Sequence, residues 1–347
     1  MPTQQALEKF RLESKIDWLE FTIKNMNPVE IIEELLLLDK TDFTKLERGR
    51  FGYNSQLKWD SGHVYLLFNE DETGEYMPGN NMGVHVMLTG QGCAAFNQTF
   101  NLRNLILLII GSTEYKFTRI DLAVDDIGDR YIKFDKVAKH ALKGHYVTKW
   151  SKWDEVNSRK TGGKQEFVGR TMYFGSQASD IFCRIYNKAL EIAQKTKKDD
   201  AVIPENWTRL EIVYKKDRAN MIVEHMVDHE EIGYIVKATL NNYLRFVEPN
   251  GDDNRSRWPM LKWWERFVRD AGKLKLTLPE EHPDIDKMQR WIDKQISPTL
   301  AAIMTAHDGD MQWLYSLIGQ GKGRLKNKHL EAISRYLDNL DKEKEDG

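Results

Sequence analysis

Three segments of the chain place acids, cations and a tyrosine at every second position. In an extended strand successive side chains point to opposite faces, so residues two apart share one face. Over Phe117–Asp125 this separates Arg119, Asp121, Ala123 and Asp125 from the aliphatic Ile120, Leu122 and Val124. Over Phe182–Lys188 it groups Phe182, Arg184, Tyr186 and Lys188. Over Thr208–Tyr214 it sets Arg209, Glu211 and Val213 against Leu210, Ile212 and Tyr214. Two or three carboxylates meeting at one point bind a hard cation such as Mg²⁺ or Mn²⁺. A tyrosine between Arg184 and Lys188 has cations that stabilise its phenolate and hold a phosphate in front of it. Metal, phenol and cations together suit attack on a phosphodiester. Acid–cation alternation also makes plain cross-strand ion pairs on a solvated sheet face. Its recurrence on three strands is what favours chemistry.

Those strands sit within a larger alternating pattern. Ile16–Lys24 reads as a strand with Ile16, Trp18, Glu20 and Thr22 on one face, and Val29–Leu38 reads as a helix after Asn27-Pro28. Phe43–Phe68, broken at Asp60-Ser61-Gly62, reads as a hairpin, Gly83–Leu88 as a strand and Gln91–Ile110 as a helix. After the strand at Tyr115–Asp125 come a helix at Ile132–Leu142 and a long basic loop to Gly163. Strands at Phe167–Phe174, Asp180–Lys188 and Trp207–Lys215 follow, the last two joined by a polar linker, Lys195–Pro204. From Arg218 the pattern turns helical. This order predicts an α+β fold with a mixed, largely antiparallel central sheet, flanking helices and a helical C-terminal region. The crossover Gly83–Asp125 is compatible with a parallel pair. The predicted division is a domain over 1–245 and a helical region over 246–347.

Length and composition bound the function. The chain has 347 residues, 41% apolar and 30% charged, with a net charge of −2, an ordinary globular balance. Two cysteines, Cys93 and Cys183, make no disulfide framework, and the N-terminus has no signal-peptide core, so a cytoplasmic protein without a membrane span is expected. The net charge hides a basic stretch: between Lys139 and Arg170 eight Lys/Arg oppose three acids, interleaved with Tyr146, Trp150 and Trp153. Such a patch suits a phosphate backbone with stacking partners, or a solvated loop. Arg255, Arg257, Lys262, Arg266, Arg269, Lys273 and Lys275 surround Trp258, Trp263 and Trp264; they suit contact with DNA or a partner protein, and the simpler, slightly favoured reading is tryptophans in a core with cations snorkelling over them. Gly319–Gly323 (GQGKG) lacks the spacing of a nucleotide-binding loop and reads as a flexible turn.

FTRIDLAVDD (117–126), TMYFGSQASDIFCRIYNKALE (171–191) and WTRLEIVYKKDRA (207–219) resemble, in order and spacing, the Rep_trans or replication initiation factor family of rolling-circle initiators. IDWLEFTI and GVHVMLTGQGC (83–93) are similar to that family's N-terminal segments, so the resemblance covers roughly residues 15–245. It implies a DNA nickase and religase that cuts one strand at a double-strand origin and keeps the 5′ end on a tyrosine, leaving a 3′-OH primer. Carried onto this chain, it makes Tyr186 the nucleophile and Asp121, Asp125 and Glu211 the metal-binding acids. Arg119, Arg184, Lys188 and Arg209 become phosphate contacts, and Mg²⁺ or Mn²⁺ the cofactor. Implied partners are origin DNA, both double- and single-stranded, a second copy of the chain and a host helicase. A tyrosyl ester stores the energy of the broken bond, consistent with the missing nucleotide-binding loop.

Neighbouring chemistries fit less well. A His-hydrophobe-His metal site is absent, since Gly83–Leu88 holds only His85, and no His-x-x-Arg precedes a suitable tyrosine. Three rivals remain: a conjugative relaxase of the same family, for which residues 1–15 offer no helix-turn-helix, a non-enzymatic DNA-binding regulator, and a metal nuclease that uses water.

Overall fold

The structure is a computed structural model that describes residues 10–77, 82–112, 114–163, 165–195, 204–228, 232–273, 285, 288–289, 292–325 and 327–345. The Lys195–Pro204 linker and the break at Leu278–Asp284 lie almost wholly outside the described residues.

Ten strands form one sheet in the order β2-β3-β4-β5-β1-β6-β11-β10-β9-β8. They are β1 (Arg11–Ile23), β2 (Phe43–Leu46), β3 (Ser55–Trp59), β4 (Val64–Phe68), β5 (Val84–Leu88), β6 (Tyr115–Ile127), β8 (Trp153–Arg159), β9 (Phe167–Phe174), β10 (Ile181–Asn187) and β11 (Trp207–Lys215). A separate two-stranded sheet pairs β7 (Tyr146–Thr148) with β12 (Leu244–Phe246). Every neighbouring pair is antiparallel. The parallel pair that the crossover allowed is not made. β5 and β6 run in the same direction, but β1 lies between them and pairs with both. Two other expectations change in detail. Phe43–Phe68 is a three-stranded meander rather than a hairpin, and the basic stretch contains β8, which pairs along β9.

Alternation sorts β6, β10 and β11 as expected. Ile16, Leu122, Leu210, Ile212, Cys183 and Ile185 are buried on one face. There α5 (Asp217–Asp228) packs on β6 and β11, and α6 (Ile232–Tyr243) is tied down by a 2.7 Å hydrogen bond between the Tyr214 and Thr239 hydroxyls. Two helices stand by the polar face: α1 (Gly90–Thr99) beside β1, and α4 (Lys188–Lys195) beside β9 and β11. The Gln91–Ile110 segment is two helices, α1 and α2 (Leu102–Ser112), with a break at Phe100-Asn101. The Thr89 hydroxyl caps α1 by accepting from the Gly92 amide at 3.3 Å. The helix α3 (Phe134–Leu142) forms as predicted, and both cysteines are buried and free.

The chain divides into two compact units: residues 1–28 with 43–278, and residues 29–42 with 279–347. The first runs past the predicted boundary at 245, because α7 (Lys262–Ala271) contributes Trp264, Phe267 and Val268 to its core. Phe246, Trp263 and Trp264 pack ring on ring there, with centroids 5.0–5.6 Å apart. The core reading of these tryptophans therefore holds for Trp264. The second unit includes a π-helical turn at Ile31–Leu35, within the predicted Val29–Leu38 helix, and the helices α8 (Ser297–Ala306), α9 (Gln312–Lys322) and α10 (Asn327–Glu345). Gly319–Lys322 lie inside α9 and only Gly323, its C-cap, is in a turn, so most of the GQGKG segment is helix and not the expected turn. Among the described residues no helix is long and apolar enough to cross a membrane.

Candidate active site

The register brings the three polar strand faces together. Arg184 pairs opposite Glu211 and Tyr186 opposite Arg209, while Arg209 and Val213 of β11 lie opposite Asp125 and Asp121 of β6. On them opens a cleft of about 770 Å³, lined by Tyr186, Arg184, Lys188 and Arg209 together with Asp17, Trp18, Arg170, Tyr173 and the start of α1.

Tyr186 is 7% exposed, and its hydroxyl donates to Glu211 Oε2 at 3.2 Å. Burial, then the charge of Glu211, pushes the phenol well above its ordinary pKa, and the pull of Arg209 and Arg184 does not offset this. The phenolate expected from two flanking cations is thus not the resting form. Arg184 and Lys188 do flank the ring, at 5.5 and 5.6 Å from its centroid, but the group is a neutral phenol already bonded to a base. Glu211 and Asp121 are both fully buried, and burial raises both pKa values. Arg184 donates from Nε to Glu211 Oε1 at 2.8 Å, and its Nη2 sits 4.0 Å from Asp121 Oδ2. Arg119 forks onto Asp121 at 2.8 and 2.6 Å and stacks over Trp18 at 4.3 Å.

Asp125 stands apart from this pair. Arg209 forks onto it at 2.6 and 2.8 Å, Lys15 reaches it at 2.9 Å and the Trp207 indole donates to it at 2.7 Å. Burial alone would raise its pKa, but the charges and hydrogen bonds of Arg209 and Lys15 bring it down to about 2. Its oxygens are committed to protein donors. Among the described residues no three His, Cys, Asp or Glu side chains are grouped to hold a metal. The three acids that the resemblance names, Asp121, Asp125 and Glu211, are therefore not grouped at one point. The donor set that suits a hard cation is the buried pair Asp121 and Glu211, now neutralised by Arg119 and Arg184. Asp126 points to the opposite face and accepts from the amides of Arg130, Tyr131 and Ile132 at 2.7–3.1 Å, which fixes the turn after β6.

The phosphate contacts divide the same way. Arg184 and Lys188 line the cleft, although Lys188 begins α4 rather than extending β10 and holds Glu191 at 2.7 Å. Arg209 is 1% exposed and its fork is spent on Asp125 and, through Nη1, on Asp17 at 2.6 Å. It lines the cleft beneath Tyr186 with its guanidinium held by these two acids.

Strand alternation put Trp18 on one face with Ile16, which the structure does not keep, and passed over Asp17 and Lys15. The register slips between Ile16 and Trp18, an irregularity that puts Lys15 opposite Ala123 and Trp18 opposite Asp121, while Ile16 stays in the aliphatic core. Asp17, the extra residue, reaches Arg209. A period of two cannot show this, because the bulge changes the parity part-way along β1.

The site is thus a buried acid–phenol pair among cations, in a cleft on an antiparallel sheet. Residues 115–318 match the Replication initiation factor family, and residues 13–106 match the N-terminal domain of rolling circle replication initiation proteins. The chain belongs to the replication initiation factor family. It is 27% identical over 348 residues to the protein named "Putative DNA relaxase NicK" of Bacillus subtilis (strain 168), covering 94% of this chain and 90% of that one. A replication initiation protein of Staphylococcus aureus is 28% identical over 161 residues, 38% of this chain and 45% of that one. The rolling circle replication initiator protein from Geobacillus stearothermophilus superposes with a TM-score of 0.65 at 28% identity, covering 77% of this chain and 99% of that structure.

Proposed function

We propose that this chain starts rolling-circle replication by nicking and later resealing one strand of an origin duplex, with Tyr186 as the nucleophile. The carrying observation is the hydrogen bond from the Tyr186 phenol to Glu211 in a cleft that Arg184 and Lys188 also line. Glu211 takes the phenol proton as the tyrosyl oxygen bonds to phosphorus, and the 3′ oxygen leaves with its electron pair and gains a proton. The 5′ phosphate stays on Tyr186 as an ester, so the reverse step reseals the strand without a nucleotide triphosphate. Lys188 and Arg184 hold the scissile phosphate, Arg184 by turning from Glu211 toward it. Asp121 and Glu211 would hold Mg²⁺ or Mn²⁺, which when bound would polarise the phosphoryl oxygen. Arg209, clamped by Asp125 and Asp17, keeps the strand under the tyrosine in register. The same reading has a homodimer act on origin DNA and pass the opened strand to a host helicase. A relaxase that launches conjugative transfer would use the same site. The relative named as a DNA relaxase aligns over nearly its whole length, which supports keeping that role open.

The test incubates the protein with Mg²⁺ or Mn²⁺ and supercoiled plasmid carrying its own replicon, beside Tyr186→Phe. Nicking with a 5′ nucleotide on the Tyr186 peptide is expected from the wild type only. Nicking that persists in Tyr186→Phe without an adduct makes water the nucleophile. Tight DNA binding without nicking by either protein makes the chain a regulator.

A further inference from the structure

The polar face of the sheet does not stop at the cleft. Across β1 it continues through side chains in contact. Arg119, forked onto Asp121, stacks on Trp18, and the Trp18 indole donates to Glu20 at 2.6 Å. Glu20 lies 3.7 Å from His85. The register carries this face on over β5 and β4, with Thr22 opposite His85, and Glu20 opposite Met87, which is opposite Tyr65.

On this half of the face sit two aromatic rings that the nicking site does not use. Tyr53 stacks against His85 at 6.3 Å and 15°, and Phe51 meets it edge-on at 6.4 Å. Phe51 is 69% exposed, and its backbone lies at φ +57° in a turn closed by the Tyr53 amide on the Arg50 carbonyl at 3.0 Å. A bulky residue in that region is strained, and a large exposed ring is poorly hydrated, so the turn presents Phe51 at a cost in local stability. Arg50 lies over Tyr65 at 4.6 Å and is steadied by Gln56 at 2.9 Å, which places a cation beside the rings. An exposed ring at Phe51, backed by Tyr53 on His85, next to a cation and linked to the cleft by side chains in contact, matches the stacking platforms that hold single strands. Bases paired in a duplex hide their faces; only an unpaired base offers one.

Building on the nicking function proposed above, we infer that the sheet face around Phe51 and Tyr53 is a second DNA subsite, which stacks unpaired bases of the strand adjoining the scissile phosphate. The subsite holds that strand on the protein after the duplex opens. Its specificity for sequence is low, because every base has a π face.

The probe is a fluorescein-labelled oligothymidylate of about twenty nucleotides, beside an abasic strand of the same length that keeps the phosphates. Binding is read by anisotropy for wild type, Phe51→Ala and Phe51→Trp, with plasmid nicking and sedimentation as companions. Phe51→Ala is expected to weaken oligothymidylate binding about tenfold and leave abasic binding unchanged, and Phe51→Trp to keep wild-type affinity. Phe51→Gly removes the ring while relieving the positive φ, so the result does not hinge on folding of the alanine variant. Unchanged oligothymidylate affinity in Phe51→Ala overturns the inference, and so does an equal loss on both strands. A variant that alters only sedimentation also overturns it, because the ring then meets a second copy of the chain. A wild type that neither nicks nor binds either strand refutes the nicking function itself. Nicking that persists beside unchanged Phe51→Ala affinity removes the platform alone.

Discussion

The family resemblance implies that Asp125 is a metal ligand, whereas its geometry is that of a structural anchor, and the two roles predict different outcomes for Asp125→Ala. The substitution strips Arg209, 1% exposed, of a two-pronged partner and leaves it only Asp17. Removing one member of a buried ion pair costs about 3–5 kcal/mol. The pKa gives a second route to the size. Asp125 sits at about 2 when folded against an ordinary 3.8, a gap worth roughly 2.5 kcal/mol. Because the folded value is the lower one, that stabilisation is complete above pH 4 and is lost as pH falls through 4 toward 2. A loss of about 2–4 kcal/mol is expected at pH 7, read by urea denaturation with tryptophan fluorescence. Asp125→Ala with Arg209→Met should recover part of it, since no buried charge is then left alone. The destabilisation should be the same with Mg²⁺ or with a chelator. A loss below about 1 kcal/mol, or one seen only when the metal is present, refutes the anchor and restores Asp125 as a ligand.

Two further outcomes follow from the site and its surroundings. Glu211→Gln removes the proton acceptor of Tyr186 while keeping its shape, so adduct formation on a suicide oligonucleotide should fall about 10²- to 10⁴-fold with DNA affinity retained; a rate within a few-fold of wild type means another base. Burial lowers the His85 pKa from 6.5 to about 4, so the unfolded chain takes up its proton first. Stability should therefore decline by about 2–3 kcal/mol as pH falls from 6.5 to 4, and His85→Gln should flatten that slope in a pH series of urea melts.

Much of the site was legible along the chain. Period-two alternation put Asp121, Arg184, Tyr186 and Glu211 on facing strands with aliphatic residues behind them, and the registers assemble those four. Alternation is local, set by the geometry of an extended backbone, so sequence alone exposes it. The motifs at 117–126, 171–191 and 207–219 likewise pointed to the family that the comparisons establish.

What lay beyond the sequence is long-range. Insertion of β1 between β5 and β6 replaced the allowed parallel pair, and strand order depends on segments far apart in the chain. The irregularity at Ile16–Trp18 brought Asp17 to Arg209 across 192 positions, where alternation read on from Ile16 has the wrong parity. How many donors each acid carries is also decided in three dimensions, with Asp121 taking the Arg119 fork. Asp121 and Asp125 share one strand face, yet only Asp125 meets Arg209, Lys15 and Trp207 together. Residue types and their period determine which side chains can meet; burial and cross-strand register decide their partners, and the partners set the charge each group carries.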